Sequence, residues 1–132
     1  DYITDDDGNV TEIHCTYDPE TKSGSGFTGR KVKGTIQWVC AETAERAEVR
    51  LYENIVDEEK GVYNEDGTIN VNPNSLTILE NCYVEPALAE AKPMDSFQFV
   101  RQGYFCVDSK DSTEDHLVFN RIVSLKSSYR PK

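Results

Sequence analysis

The sequence predicts an all-β protein, either a barrel or a sandwich, with one short helix. Three observations predict this fold class. Short segments in which apolar and polar residues alternate recur along the chain, and clusters of Gly, Asn, Asp and Pro separate them. Only one stretch has a helical composition. The 132 residues are 37% hydrophobic and 10% aromatic, which is enough for the core of a single domain.

The first half of the chain contains three predicted strands. An Asp-Asp-Gly-Asn turn signal at residues 6–9 precedes the first strand, which covers residues 10–17. Residues 32–39 alternate most regularly and form the second predicted strand. After a connector or short helical turn over residues 41–47, the third strand covers residues 48–56.

The middle of the chain combines an acidic loop, a strand and the helix. Residues 57–74 are rich in turn residues, and loops of this length are usually functional or disordered. Their apolar patches indicate a ribbon that docks on another surface. The next strand covers residues 76–83, with Leu76 and Ile78 facing the core. A Pro in the first turn, followed by Ala and Glu, predicts a helix over residues 85–92.

A β-hairpin over residues 97–109 carries the functional interpretation. Gln98 lies between two Phe residues, Arg101 lies in the turn, and Gly103 supplies the positive φ that a tight turn needs. Because the turn breaks the alternation, the Gln98 amide and the Arg101 guanidinium can converge on the edge of an unstacked nucleobase. The alternative, which spacing alone favours, is a solvent-facing Gln and a hairpin Arg without a ligand. A last strand over residues 116–125 completes the predicted sheet.

The charge of the chain argues against a nucleic-acid binder driven by phosphate contacts. The net charge is −10, from 24 acidic and 14 basic residues, and the acids cluster in loops. No apolar run is long enough to span a bilayer, and no signal peptide precedes the first strand, so we expect a cytoplasmic protein without membrane contact. The chain begins at Asp1 without Met, so we expect it to be part of a longer protein.

Neither the cysteines nor the histidines form a recognisable site. The four cysteines are widely spaced, without a CxxC pair: Cys15, Cys40, Cys82 and Cys106. We expect reduced thiols, because each lies in or beside an apolar strand; a secreted, disulfide-linked sandwich is the alternative. Neighbours on a strand point to opposite faces, so His14 and Cys15 do not predict a metal site. No catalytic motif is present, and His116 beside Asp115 is interpreted as a surface imidazole.

Several stretches match one known family in order and extend over almost the whole chain. They are HCTYD at residues 14–18, GRKVKG at 29–34 with WV at 38–39, VRLY at 49–52, FQFVRQGYFCVDS at 97–109 and VFNR at 118–121. In these stretches the chain resembles the C-terminal part of the glutaminyl-tRNA synthetases.

This resemblance implies a fold and a place in a longer enzyme. The family's C-terminal region consists of two β-barrels. Residues 1–132 are similar to the distal one, a six-stranded closed barrel like that of a ribosomal RNA-binding protein, with one short helix. The first and last strands are expected to belong with the proximal barrel. Without those neighbours we expect them to fray or to pair in a non-native way.

The resemblance also implies which residues contact RNA. In the family, the Gln and Arg of the hairpin contact the middle, uracil base of the anticodon, and by match these are Gln98 and Arg101. Lys126 matches a basic family position near the anticodon arm and is a candidate contact to the tRNA backbone. No catalytic residue and no metal ligand is expected in this chain.

The implied activity is the ATP-dependent attachment of glutamine to tRNA(Gln) in translation. ATP and Mg²⁺ would be bound by a catalytic domain that this chain lacks, so the chain itself is expected to hold no cofactor and to be inactive alone. The implied partners are the tRNA(Gln) anticodon loop and the rest of a monomeric synthetase. The alternatives are the anticodon domain of a eukaryotic or archaeal type of glutamate–tRNA ligase and a non-catalytic β-barrel module that binds proteins.

Overall fold

The structure, a computed structural model, describes residues 1–22, 24–31, 34, 36–57 and 60–125. The prediction of an all-β protein is confirmed, because these residues form two sheets and only two short 3₁₀ helices. The chain divides into two compact units, Asp1–Thr35 and Ile36–Lys132. The strands in the described ranges are β1 (Tyr2–Thr4), β2 (Val10–Ile13), β3 (Glu45–Tyr52), β4 (Leu76–Val84), β5 (Ser96–Phe99), β6 (Gly103–Val107) and β7 (Leu117–Ser124). No described helix is long and apolar enough to cross a membrane.

The first unit contains an antiparallel hairpin of β1 and β2. Its turn is the predicted one, and the Asp5 carboxylate accepts hydrogen bonds from the backbone N–H groups of Asp7 (3.0 Å) and Asn9 (2.8 Å). The predicted strand over residues 10–17 ends early, at Ile13, and every residue of both strands is exposed. A hairpin with no buried face has little packing to extend it, which explains its short strands.

The second unit is a five-stranded sheet in the order β4-β3-β7-β6-β5. β3 and β7 are parallel, and all other neighbours are antiparallel. β7 lies between β3 and β6 and supplies the most buried side chains. The expectation that a terminal strand frays or pairs in a non-native way stays a prediction. The core cluster on one face consists of Ala47, Val49, Val84, Phe105, Val107, Leu117 and Phe119.

The prediction of a strand over residues 32–39 is wrong where it can be checked. Val32, Lys33 and Thr35 lie outside the described residues, and Ile36–Val39 forms no strand. Ile36 and Trp38 are 79% and 64% exposed. Alternation shows only that a segment suits a sheet; a strand also needs a hydrogen-bonded partner, and none of the described strands pairs with this segment.

The prediction that Leu76 and Ile78 face the core is also wrong, and a β-bulge explains the error. Ala47 pairs with Cys82 and Val49 with Leu79, so β4 contains one more residue than β3 between these two pairs. An extra residue inverts which side chains face inward. Leu76 and Ile78 are therefore 45% and 46% exposed on the outer face.

The predicted helix over residues 85–92 is a 3₁₀ helix, Pro86–Glu90, rather than an α-helix. Pro starts it as expected, but Ala91 is extended, at φ −65° and ψ 135°. Lys92 precedes Pro93, a position that disfavours helical backbone, so the segment ends before an α-helical turn can repeat.

The predicted ribbon is present. Beyond β3, isolated bridges join Val56 to Val71 and Tyr63 to Ile69. Glu58 and Glu59 lie outside the described residues, and docking of this ribbon stays a prediction. Closure of the sheet into a barrel also stays a prediction: β4 and β5 are its edges, and they do not pair with each other in the described part of the chain.

Candidate nucleic-acid interface

The predicted hairpin is confirmed in β5 and β6. They pair antiparallel, and Phe99↔Gly103 is the last pair before the turn. The turn is closed by the Gln102 N–H, which donates to the Phe99 carbonyl at 2.8 Å. The sequence predicted that Gly103 supplies the positive φ of this turn. In the structure Arg101 is the residue inside the turn with a left-handed backbone, at φ 68°. Gly103 has φ 151° and is already the first residue of β6.

The backbone of Arg101 is strained. Residues other than Gly rarely adopt a left-handed φ, because the Cβ atom then crowds the backbone, at a cost of about 1 to 2 kcal/mol. Among the described residues only Met94 shares this feature outside glycine. A strained residue persists only where its surroundings hold it, and such residues concentrate at functional sites.

Gln98 and Arg101 are both exposed on this hairpin. The side chains of Phe97 and Phe99 pack against the core, which leaves Gln98 on the accessible side of an edge strand. Among the side chains that the structure describes, neither the Gln98 amide nor the Arg101 guanidinium has a hydrogen-bond or ion-pair partner. Both groups are therefore available to a ligand. Lys126, the third candidate, lies outside the described residues.

Aromatic packing anchors the hairpin to the sheet. The Phe99 and Phe105 rings stack with centroids 4.5 Å apart and an interplanar angle of 20°. The Phe119 ring forms T-shaped pairs with those of Phe97 and Phe99, with centroid distances of 6.3 Å and 5.3 Å. Phe119 itself is fully buried. Such aromatic pairs add to the burial of apolar area, so the strands on both sides of the turn have a fixed base.

A cleft of about 590 Å³ adjoins Gln98 in the second unit. It is bounded by β4, the second 3₁₀ helix and β5, together with the segment Gln37, Trp38 and Val39. Its polar lining residues include Gln98, Gln102 and Arg121. Sequence reasoning missed Gln102 and Arg121 as residues of this cleft. Only the place of Gln102 inside the predicted turn could have indicated its role.

Arg121 is held in place at this cleft. One of its terminal nitrogens lies 2.5 Å from the Glu53 carboxylate and donates to the Tyr52 carbonyl at 3.3 Å. Its side chain is 18% exposed. The ion pair leaves this guanidinium less available to a ligand than that of Arg101.

A polar network on the other side of β3 fixes the loop that follows β6. Arg50 donates to Glu48 at 2.6 Å and to Asp111 at 2.5 Å, and it lies 3.7 Å from Asp108. The Asn120 amide donates to Asp108 at 2.6 Å. This bond, with the N–H groups of the loop and the charge of Arg50, lowers the pKa of Asp108 to about 2.

The cysteines and histidines considered in the sequence analysis form no metal site among the described residues. All four cysteines are free thiols. Within the described ranges no group of three or more His, Cys, Asp or Glu side chains is placed to hold a metal ion. His116 lies 3.4 Å from Glu48 with its side chain 56% exposed, in agreement with its interpretation as a surface imidazole.

Known proteins similar to this chain are glutamine–tRNA ligases. The chain is 55% identical to the enzyme of Clostridium perfringens over 98% of its length, and 54% identical to that of Clostridioides difficile over 99%. It is 47% identical to the enzyme of Vibrio vulnificus over 95%. The chain spans 24%, 24% and 22% of these relatives, about a quarter of their length.

A family match agrees with these relatives and confirms the resemblance seen in the sequence. Residues 35–108 match the family described as tRNA synthetases class I (E and Q), anti-codon binding domain. The matched range includes Gln98 and Arg101 and covers more than half of the chain. The chain therefore belongs to the family of class I tRNA synthetase anticodon-binding domains for Glu and Gln.

Proposed function

We propose that this chain is the anticodon-binding part of a glutamine–tRNA ligase, and that the β5–β6 turn reads the middle base of the anticodon through Gln98 and Arg101. The observation that carries the proposal is the turn itself. It holds Arg101 in a strained backbone conformation three residues after the exposed Gln98 of β5, and neither side chain has a partner among the described residues. Packing that maintains such strain favours a functional role for the residue.

The chemistry of the two groups suits uracil. A Gln amide both donates and accepts, so it can pair with an N3–H and a carbonyl oxygen of the base at once. A guanidinium only donates and suits the second carbonyl oxygen. Anticodon bases are unpaired and expose these edges. If the figure for bidentate base contacts in duplex DNA transfers, the pair contributes about 1 to 3 kcal/mol of discrimination.

The acidic surface does not conflict with this reading. Base-edge contacts specify a sequence, whereas phosphate contacts supply most of the affinity. A chain with a net charge of −10 is thus expected to bind weakly alone while still discriminating between bases. Lys126 is a further proposed contact, to the tRNA backbone.

The complete protein would be a cytoplasmic, monomeric ligase that activates glutamine with ATP and transfers it to tRNA(Gln). The relatives support this, since the chain matches them over nearly its whole length but spans only about a quarter of theirs. ATP and Mg²⁺ would act in parts of the protein outside this chain. Because the family includes enzymes for Glu as well as Gln, a glutamate–tRNA ligase is the second candidate.

We further propose that the five-stranded sheet is part of a distal barrel in the complete protein and that the β1–β2 hairpin belongs to a proximal barrel. The edge strands β4 and β5 support the distal barrel, because both line the same cleft of the second unit. Closing a sheet into a barrel brings its two edges together.

An NMR titration of this chain with an anticodon stem-loop tests the base contact. We expect shifts centred on Gln98 and Arg101 for a loop with uracil at the middle position. They should weaken when cytosine replaces uracil, because cytosine exchanges the donor and acceptor at that edge. Arg101→Ala should reduce the difference between the two RNAs, and Gln98 should account for the part that remains. Arg46→Ala, which changes an exposed Arg elsewhere on the sheet, should preserve it.

Equal shifts for both RNAs, or shifts that avoid the hairpin, would contradict direct reading of the base. Aminoacylation by the full-length protein then tests the activity. Transfer of glutamine to tRNA supports the proposal, and transfer of glutamate supports the second candidate.

A further inference from the structure

We propose that Phe99 and Gly103, the two residues that flank the turn, are positioning residues that fix Arg101 for base discrimination. This inference rests on the proposed function of the hairpin. Neither residue is a candidate RNA contact. Both act through the backbone of Arg101, and the contacts that support this all lie within the second unit.

Gly103 is the first residue after the turn and begins β6, which pairs with β7. It is buried, has φ 151° and pairs with Phe99 on one side and with Ser124 on the other. A Cβ atom on residue 103 would lie 2.7 Å from the Val123 carbonyl oxygen and 3.4 Å from Cε2 of Phe105. Real Cβ atoms do not approach so closely, so any other residue would push the end of the turn away from β7.

The backbone of β7 is held by β6 at the point where this push would act. β7 pairs with β6 as far as Ser124, and its first part, from Leu117 to Asn120, also pairs with β3. Its Phe119 is fully buried among the rings that anchor the hairpin. The turn, whose residues are exposed, would therefore take up part of the displacement.

Phe99 fixes the other end of the turn. Its ring stacks on Phe105 at 4.5 Å and meets Phe119 at 5.3 Å. Its carbonyl accepts the hydrogen bond from Gln102 that closes the turn.

Fixing both ends leaves Val100, Arg101 and Gln102 little choice of conformation. The closed turn requires a left-handed residue, and Arg101 takes that role at φ 68°. Recognition groups need to be held within about 0.5 Å of the productive geometry. The removal of a Cβ clash at 2.7 Å requires a movement of at least a few tenths of an ångström, which is comparable with this tolerance.

The test compares the ratio of dissociation constants for the cytosine and uracil stem-loops between the wild-type chain and Gly103→Ala. We expect the ratio to fall about tenfold, since misplacement by about 1 Å costs up to about a hundredfold where geometry matters. The matched control is Gly67→Ala, which changes another left-handed Gly, at φ +82°, with open space around it. The control should keep the wild-type ratio.

The ratio separates positioning from a loss of folding. A variant that is only partly folded binds both RNAs more weakly by the same factor, so its ratio does not change. An unchanged ratio for folded Gly103→Ala, with a wild-type ratio well above one, would overturn the positioning role and leave the proposed function intact. A wild-type ratio near one would overturn both.

A second variant decides the question if Gly103→Ala does not fold. Phe99→Leu keeps an apolar side chain but removes the stacked ring, so it should also reduce the ratio. Leu117→Ala is its control, because it removes a buried side chain of β7 outside the hairpin. Loss of thermal stability in both variants with an unchanged ratio in Phe99→Leu would show a purely structural role.

Discussion

The β1–β2 and β5–β6 hairpins have similar local patterns but different surroundings. Both are antiparallel pairs of short strands joined by a tight turn. All residues of β1 and β2 are exposed, and their turn contains a left-handed Gly8. The β5–β6 hairpin packs three Phe residues into the core and tolerates a left-handed Arg101. The comparison teaches that packing, rather than turn sequence, allows a strained residue to be placed where its side chain is useful.

The largest difference between the hairpins should appear on removal of a side chain. Phe119→Ala takes away the fully buried ring under β5 and should cost about 3 to 5 kcal/mol of the free energy of unfolding. Ile13→Ala, in β2, changes a side chain that is 69% exposed and should cost less than about 0.5 kcal/mol. Urea denaturation measures both, and comparable losses would contradict the comparison.

Substitution of the glycines should give the next largest effect. Gly103→Ala meets backbone at 2.7 Å and should cost about 2 to 3 kcal/mol through overpacking and strain. Gly8→Ala has nothing within 4 Å of the new Cβ and should cost only the left-handed strain, about 1 kcal/mol. Urea denaturation of the two variants checks the order; a larger loss for Gly8→Ala would reverse the conclusion.

Acid should destabilise the sheet through Asp108. Its pKa falls to about 2 in the folded protein, so its contribution is complete above the unfolded pKa of about 4 and is lost as the pH falls towards 2. We expect a loss on the order of 1 to 2 kcal/mol over this range, seen as a pH dependence of unfolding that Asp108→Asn removes. The matched change in the first hairpin, Asp5→Asn, should alter the dependence less, because Asp5 is exposed.

The smallest expected effect is an increase in the free energy of unfolding. Arg101→Gly relieves the left-handed strain and should raise the free energy of unfolding by about 0.5 to 1 kcal/mol. The same variant should lose part of its base discrimination, because the guanidinium is gone while the Gln98 amide remains. Urea denaturation and the two stem-loop titrations measure these properties together. A loss of stability would show that the Arg101 side chain stabilises the turn.

The fold was predictable where local sequence and packing agree. The β5–β6 hairpin was predicted nearly to the residue, because its Phe residues alternate and Gly103 marks the end of the turn. The strand over residues 32–39 was not, because pairing depends on a partner that alternation does not reveal. The orientation of Leu76 was wrong because a bulge in β4 carries no signal of its own in the sequence.

The candidate site was predictable only in part. Gln98 and Arg101 could be named from the hairpin pattern and the family resemblance. The left-handed backbone of Arg101 could not be predicted, because Gly is the residue that normally adopts this conformation. The Arg50–Asp111 ion pair joins residues 61 positions apart, so only the folded chain brings them together.

The parallel pairing of β3 with β7 has a consequence for synthesis of the protein. Tyr52 and Asn120, hydrogen-bonded across these two strands, are 68 positions apart. Contacts between such distant positions form slowly, because the chain loses the entropy of closing a long loop before these contacts can stabilise it. On the ribosome β3 and β4 can pair early, but their apolar face is buried only after Leu117 and Phe119 have been synthesised. Until then the nascent chain exposes Val49 and Leu51, a period in which chaperones are expected to bind this segment.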